Sequence, residues 1–168
     1  MHSIRYSDLH SALQGKRLIA FDLDGTLIDS VPDLAAAPHV HTTLYPGVEQ
    51  SLRALHQQGM TLALITNKPE RFIEPLLHHF NLLAYFTLWV GGDSLAEKKP
   101  HPMPLLHAAS HCQIPPAECV MVGDSRHDMA AGKAAGFTTV ALPYGYNHGE
   151  PIEDSHPDLV LSSLTELL

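Results

Sequence analysis

The residues best suited to chemistry are two acids that follow an apolar run near the start of the chain. Residues 18–22 read LIAFD, as a buried parallel strand does when it delivers a side chain to the edge of a sheet. Asp22 and Asp24 lie two positions apart, and Gly25 and Thr26 close the turn. Because neighbouring carboxylates repel each other, a fold that places them at one strand end usually has a cation there. Gly25 permits a sharp turn, and the Thr26 hydroxyl can reach a phosphate oxygen. An acidic strand-end turn without function is the alternative interpretation.

Three further apolar runs lead to polar side chains that could work with these acids. They are Thr66 and Asn67 at the end of residues 61–66, Lys99 a little after residues 86–90, and Asp124 and Asp128 after residues 119–122. In open α/β sheets, ligands bind outside the carboxyl ends of the strands. We therefore expect all of these side chains at one edge of the sheet.

Together these groups can transfer a phosphoryl group. A carboxylate can attack phosphorus and form an aspartyl-phosphate, and we assign this role to Asp22, which would also bind a metal. Asp24 would protonate the leaving oxygen and then deprotonate the water that hydrolyses the intermediate, and it could offer its backbone carbonyl to the metal. Mg²⁺ suits the site, because it prefers oxygen ligands and reduces the repulsion between an anionic substrate and an anionic nucleophile.

The other groups complete this assignment. Asp124 would be the second carboxylate ligand of Mg²⁺, and Asp128 would support the ligands from behind. Thr66 and Lys99 would bind the oxygens of the transferring phosphoryl group, over which negative charge spreads.

The order of the elements predicts the fold that holds these groups. Apolar runs predict strands over residues 18–22, 61–66, 86–90, 119–122, 138–142 and 159–161. Helices are predicted over residues 4–14, 48–58, 69–80, 104–112 and 129–135, with a last helical turn at 164–168. The alternation predicts an α/β fold, a doubly wound three-layer α/β/α sandwich with a mainly parallel sheet.

The segment after the first turn has a less regular pattern. Ser30 or Asp33 could cap a short helix that ends near Ala37, and residues 38–45 are interpreted as a connector. The connector contains two histidines that could bind a metal. An exposed loop is the better interpretation, because no carboxylate or cysteine lies beside them.

Composition predicts one domain over residues 1–168 and excludes several classes of function. The chain is 45% hydrophobic, and its formal net charge of −8 argues against binding to nucleic acid or anionic membranes. No run reaches the roughly 18 apolar residues of a membrane span, and no signal peptide is evident. Cys112 and Cys119 have neither metal nor redox spacing, so we expect a cytoplasmic protein with reduced thiols. The expected partner is a small phosphorylated metabolite, and homo-oligomerisation stays open.

Four motifs, in this order, resemble those of the haloacid dehalogenase (HAD) superfamily of phosphotransferases. They are FDLDGTLIDS at 21–30, ITN at 65–67, KKPHP at 98–102 and GDSRHD at 123–128. The longer phrases ITNKPERF, GDSRHDMAAGKAAG and YGYNHG resemble the phosphoglycolate phosphatase group within it. The resemblance covers nearly the whole chain. It implies a HAD-like core, an aspartyl-phosphate mechanism with Mg²⁺, and hydrolysis of 2-phosphoglycolate to glycolate and phosphate.

The resemblance also implies roles for individual residues. Asp22 corresponds to the nucleophile and Asp24 to the acid/base. The implied metal ligands are Asp22, Asp24 and Asp124, and the implied phosphate-binding residues are Thr66, Asn67 and Lys99.

The chain departs from the pattern of these phosphatases in one respect. They carry a helical cap domain between the first two motifs, whereas Asp24 and Thr66 are only 42 positions apart here. We predict that the cap insertion expected near residues 37–44 is absent. Because a closed cap excludes water and holds the rest of the substrate, an open site with weak selectivity and lower efficiency on small substrates is expected.

Other functions remain open from the sequence. One is a capless phosphatase of broad or larger-substrate specificity, and another is a catalytically weak metal-binding scaffold or pseudo-phosphatase. A dehalogenase would use Asp22 on carbon but would need neither Asp24 nor a metal. A phosphoryl-accepting receiver domain is disfavoured, because a general base such as Asp24 would shorten the life of its phosphorylated state.

Overall fold

The computed structural model describes residues 6–30 and 42–168, with only the backbone described for Tyr6, Ser7 and Asp8. The helix predicted to end near Ala37 and the two connector histidines lie outside these residues. None of the helices within the described ranges has the length and apolar character that spanning a bilayer would require.

In the described residues, 6–30 and 42–168, eight strands form a six-stranded sheet and a small ribbon. In chain order they are β1 (Leu18–Phe21), β2 (Ile28–Asp29), β3 (Thr43–Leu44), β4 (Thr61–Ile65), β5 (Leu88–Val90), β6 (Cys119–Gly123), β7 (Thr138–Ala141) and β8 (Leu159–Val160). The large sheet has the order β5-β4-β1-β6-β7-β8, and every neighbouring pair is parallel. The strand order reverses beside β1, which creates a crevice at the carboxyl ends of β1 and β6. The predicted parallel, doubly wound sheet is confirmed.

Five α-helices in the described part of the chain cover the two faces of this sheet. They are α1 (Tyr6–Leu13), α2 (Val48–Gln57), α3 (Ile73–His79), α4 (Met103–Cys112) and α5 (Arg126–Ala135). Because side chains alternate along a strand, Ile19 and Phe21 of β1 pack with α1, α2 and α3, whereas Leu18 and Ala20 pack with α4 and α5. The predicted three-layer arrangement is therefore confirmed.

The antiparallel ribbon of β2 and β3 was not predicted. It pairs Ile28 with Leu44 and Asp29 with Thr43, so the last part of the predicted connector is a strand. Strands of two residues are too short to produce a period-two pattern in the sequence. The ribbon therefore pairs the segments before and after the position where a cap insertion was expected. It lies next to the turn that contains Asp24 and Gly25.

Two helix starts differ from the prediction for local reasons. The helix predicted over 69–80 begins as a 3-10 turn, Glu70–Phe72, and continues as α3. Helix α5 begins three residues earlier than predicted, because Ser125 and Asp128 form a capping box at its start. This cap fixes Asp128 in the first turn of α5, beside the crevice.

Candidate active site

The predicted nucleophile is in contact with the predicted phosphate-binding lysine. Asp22 directly follows β1, and its backbone N–H donates to the carbonyl of Val122 at 3.0 Å. Lys99 Nζ lies 2.9 Å from Asp22 Oδ1 and donates to the carbonyl of Ile65 at 2.6 Å. Only 3% of Lys99 is exposed. The lysine is thus held between the ends of β1 and β4.

Three buried acids converge at the same point. Asp22, Asp124 and Asp128 each offer a carboxylate oxygen, and these oxygens lie within 4.8 Å of one another. Asp128 Oδ1 is also 2.6 Å from Lys99 Nζ. The structure therefore brings together Asp22, Asp124 and Lys99 as expected from the sequence. It also places Asp128, expected behind the ligands, within the same carboxylate cluster.

Backbone and hydroxyl donors orient the two acids of the later motif. Asp128 Oδ2 accepts from the backbone N–H of Ser125 at 3.1 Å. Asp124 Oδ1 accepts from the Thr26 hydroxyl at 3.0 Å, and Asp124 Oδ2 accepts from the backbone N–H of Tyr146 at 2.8 Å. Each carboxylate therefore has a fixed direction before any ligand arrives.

The crowding of these acids changes their proton affinities. Burial raises the pKa of Asp124, and the nearby charge of Asp22, within hydrogen-bonding reach, raises it further. Burial and the charge of Asp22 also raise the pKa of Asp128, although Lys99 opposes this change. Burial alone would lower the pKa of Lys99, but the attraction of Asp128 and Asp22 outweighs burial and raises it. Lys99 is therefore a permanent positive charge in the site.

Gly25 allows the first turn to pass directly beside Asp124. Its φ is +85°, and a Cβ added there would lie 2.2 Å from Asp124 Oδ2. A side chain at this position would thus meet both backbone strain and a steric clash. The turn D-x-D-G-T brings the two ends of the site together only because residue 25 is glycine.

The carboxylate of Asp24 lies at the edge of the cluster. Asp24 Oδ1 accepts from the Ser30 hydroxyl at 2.6 Å and lies 3.4 Å from Lys68 Nζ. It is not a member of the three-acid group found among the described residues. A metal contact of Asp24 would therefore come from its backbone carbonyl, as considered from the sequence.

Thr66 and Asn67 lie at the end of β4, where the sequence places them. Thr66 is buried, and its hydroxyl oxygen accepts from the backbone N–H of Lys68 at 3.0 Å. Asn67 Nδ2 donates to the carbonyl of Lys99 at 2.8 Å. Asn67 Oδ1 is buried and has no hydrogen-bond partner within the part of the chain that the structure describes. Asn67 therefore holds the backbone of Lys99 in addition to any contact with phosphate.

Sequence reasoning missed four contributions to the site. Lys68, Tyr144 and Tyr146 were not singled out, Ser30 was considered only as a helix cap, and Thr26 was expected to face phosphate rather than Asp124. Tyr144 donates its hydroxyl to the carbonyl of Thr26 at 2.7 Å. The phrases ITNKPERF and YGYNHG contain three of these residues, but a phrase does not reveal which atoms meet.

The donor set of the cluster fits a hard divalent cation. Three carboxylates face one ammonium, so full ionisation of the acids leaves two negative charges unbalanced among these four side chains. Burial is the main cause of the raised pKa of Asp124, and the neighbouring negative charges of Asp22 and Asp128 add to it. A divalent cation would balance the two excess charges, and carboxylate oxygens are the ligands that Mg²⁺ prefers.

Comparison with known proteins agrees with the family resemblance of the four sequence motifs. A family model described as haloacid dehalogenase-like hydrolase matches residues 35–142, which include Thr66, Lys99 and Asp124 and begin after Asp22. The chain is 37% identical to a phosphoglycolate phosphatase of Pseudomonas fluorescens over 225 aligned positions, covering 96% of this chain and 83% of the relative. It is 39% identical to a phosphoglycolate phosphatase of Vibrio vulnificus over 215 positions, covering 90% and 94%.

A solved structure agrees in fold. The crystal structure of a predicted phosphoglycolate phosphatase from Haemophilus somnus superposes with a TM-score of 0.88 and 29% identity, covering 92% of this chain and 97% of that one. The alignments to the two curated relatives are longer than the 168 residues of this chain, so gaps open within it.

Proposed function

The chain belongs to the haloacid dehalogenase-like hydrolase family and is a phosphatase, and we propose that it hydrolyses a small phosphate monoester through an aspartyl-phosphate on Asp22. The observation that carries this proposal is the convergence of Asp22, Asp124 and Asp128 within 4.8 Å, with Lys99 in contact with two of them. We further propose 2-phosphoglycolate as the substrate, because the curated relatives are named for it.

The proposed reaction has two balanced steps. A carboxylate oxygen of Asp22 attacks phosphorus, the bond from phosphorus to the ester oxygen breaks, and Asp24 gives its proton to the departing alcohol. Water then attacks the phosphorus of the aspartyl-phosphate, and Asp24 takes up a proton from that water. The bond between phosphorus and the Asp22 oxygen breaks, so inorganic phosphate leaves and the Asp22 carboxylate is restored.

The other residues stabilise charge during these steps. The Lys99 ammonium, in contact with Asp22, would attract the phosphoryl oxygens as negative charge spreads over them, and Thr66 and Asn67 lie at the adjacent strand end. Asp22, Asp124 and Asp128, with the backbone carbonyl of Asp24, would hold Mg²⁺. The ion would supply charge neutralisation between the substrate and the acids.

We propose that the site works without a cap domain. The paired strands β2 and β3 leave only residues 30–42 between them, too few for a folded cap. The gaps in the alignments to longer relatives agree with a missing insertion. Because nothing would then enclose the substrate, a second candidate function is a phosphatase that accepts larger or more varied esters.

Phosphate release from a panel of esters tests these proposals. The panel contains 2-phosphoglycolate, larger sugar phosphates and p-nitrophenyl phosphate, each measured with Mg²⁺, with EDTA and with Asp22→Asn. We expect release that needs Mg²⁺ and disappears in Asp22→Asn, and a preference for 2-phosphoglycolate would support the assigned substrate. A flat ranking would favour the broader phosphatase. No release by a folded protein that binds Mg²⁺ would overturn both and leave the metal-binding scaffold.

A further inference from the structure

Tyr146 forms hydrogen bonds both with Asp124 and with the end of β2, yet the proposed mechanism gives it no role. Its backbone N–H donates to Asp124 Oδ2 at 2.8 Å. Its hydroxyl donates to Asp29 Oδ1 at 2.7 Å and accepts from the backbone N–H of Ser30 at 3.0 Å. Tyr146 therefore joins the loop after β7 to the end of β2.

Ser30 extends this connection to the proposed acid/base. Its backbone N–H is held by Tyr146, and its side-chain hydroxyl donates to Asp24 Oδ1 at 2.6 Å. Lys68 lies 3.4 Å from the same oxygen. Since both contacts fall on Oδ1, the oxygen that exchanges a proton with the substrate would be Oδ2.

Within the residues that the structure describes, the ribbon next to Ser30 is short. Strand β2 consists of Ile28 and Asp29, and it pairs with two residues of β3. The Tyr146 ring lies beside the turn that precedes this ribbon, because a Cβ on Gly25 would come within 2.9 Å of Tyr146 Cδ2. The Tyr146 hydroxyl therefore gives Ser30 a hydrogen bond from outside the ribbon.

We propose that Tyr146 is a positioning residue for the acid–base step. Its hydroxyl holds Ser30, which holds the Asp24 carboxylate, while its backbone N–H holds Asp124. The inference rests on the proposed phosphatase function. It goes beyond that function by giving a residue of the loop after β7 a role in proton transfer. This residue lies more than 100 positions from Asp24 in the chain.

Leaving-group dependence separates this role from a general structural one. As the bond from phosphorus to the ester oxygen breaks, an alcohol of high pKa needs the proton of Asp24, whereas p-nitrophenolate leaves readily without it. The kinetic constant kcat/KM reports phosphoryl transfer to Asp22 and not the later hydrolysis of the intermediate, provided that transfer is irreversible. A misplaced Asp24 should thus lower kcat/KM for alkyl phosphates selectively.

Tyr146→Phe is the test variant, because it keeps the ring and the N–H to Asp124 and removes only the hydroxyl. We expect kcat/KM for 2-phosphoglycolate to fall at least about tenfold and that for p-nitrophenyl phosphate to fall less than about threefold. Mg²⁺ affinity should be unchanged. Asp24→Asn gives the reference for complete loss of the acid. Tyr85→Phe is the matched control, since it also removes a hydrogen-bonded hydroxyl, 3.0 Å from Glu49 Oε1 and away from the site.

A double-mutant cycle with Ser30→Ala tests the route of the effect. If Tyr146 acts through Ser30, Tyr146→Phe should have little further effect in the Ser30→Ala background. The inference would be overturned if Tyr146→Phe lowered kcat/KM equally for both esters or did not lower it at all. It would also be overturned if the effects of Tyr146→Phe and Ser30→Ala on kcat/KM were fully additive. Each of these results would leave an active phosphatase. A wild-type protein with no metal-dependent release would instead overturn the proposed function, and this role with it.

Discussion

Lys99 Nζ lies 2.9 Å from Asp22 Oδ1, although the two residues are 77 positions apart in the chain. The contact is buried, and Lys99 meets Asp128 at 2.6 Å with the same ammonium. Lys99 is therefore both a candidate phosphate ligand and the positive charge that lets two acids coexist in the crevice.

Lys99→Met should destabilise the metal-free protein strongly. Removing one partner of a buried ion pair leaves the other charge uncompensated, so we expect the free energy of unfolding at pH 7 to fall by about 3–5 kcal/mol. Lys68→Met is the matched control. It removes an ammonium from a more exposed pair with Asp24, 3.4 Å long, and should cost about 1 kcal/mol or less. Chemical denaturation in EDTA measures both, and similar losses would contradict the role of Lys99.

Without metal, stability should fall as the pH rises. The pKa of Asp124 is raised from 3.8 to about 8 by burial and by Asp22, so the folded protein binds more protons than the unfolded chain between these values. Stability is therefore highest near the acid end of this window and decreases towards pH 8. We expect the free energy of unfolding to decrease by roughly 2–5 kcal/mol across this window, since a tenfold change in proton affinity is worth about 1.4 kcal/mol.

Asp124→Asn and Mg²⁺ serve as controls for this pH dependence. The variant removes the titrating group, so the difference between wild type and variant isolates its contribution from that of the histidines. Because Mg²⁺ binds the ionised acids, the stabilisation that it gives should be larger at pH 8 than at pH 5. Parallel stability curves for wild type and Asp124→Asn in EDTA would refute the assignment.

Gly25→Ala should weaken metal binding, whereas Gly59→Ala should not. Both glycines have a positive φ, +85° and +84°, so alanine is strained at either position and costs about 1 kcal/mol. Only at Gly25 would the new Cβ meet Asp124, 2.2 Å from Oδ2, and at Gly59 nothing lies within 4 Å. Calorimetry should give Mg²⁺ affinity at least about tenfold weaker for Gly25→Ala, a loss of about 1.4 kcal/mol. Equal affinities in the two variants would count against the close approach.

The Thr26 hydroxyl should matter for the metal site and its methyl group should not. Thr26→Val keeps the shape of the side chain but removes the hydroxyl that donates to Asp124 Oδ1 at 3.0 Å. Leaving this buried acceptor without a partner should lower the free energy of unfolding by about 1–3 kcal/mol. Thr26→Ser keeps the donor. We expect Mg²⁺ affinity to fall several-fold in the valine variant and to stay near wild type in the serine variant. If serine weakens binding as much as valine, packing and not the hydrogen bond is responsible.

The sequence predicts the parts of this molecule that local patterns encode. Apolar runs that end in acids located β1 and β6, and the rule that parallel strands present their carboxyl ends together placed Asp22 and Asp124 at one edge. The contact of Asp128 with Lys99 depends on how the start of α5 faces the loop before α4. That relationship belongs to tertiary packing and leaves no periodic signal.

The same limit explains the residues that sequence reasoning missed. Tyr146 lies in a loop, and its partners Asp29 and Asp124 come from distant parts of the chain. The ribbon of β2 and β3 has two residues on each side, fewer than a strand pattern needs. Asn67 was expected at phosphate from its position after β4, but its hydrogen bond to the carbonyl of Lys99 follows from where that loop passes.

Detection of a phosphoryl group on Asp22 tests the central claim most directly. The protein is mixed with 2-phosphoglycolate and Mg²⁺, quenched in acid during the first turnovers, digested and examined by mass spectrometry. We expect the phosphoryl group on the peptide that contains Asp22, no label in Asp22→Asn, and more label in Asp24→Asn when p-nitrophenyl phosphate is the donor, because hydrolysis of the intermediate is then slow. Rapid phosphate release by the wild-type protein with no label on Asp22 in any of these samples would contradict the account.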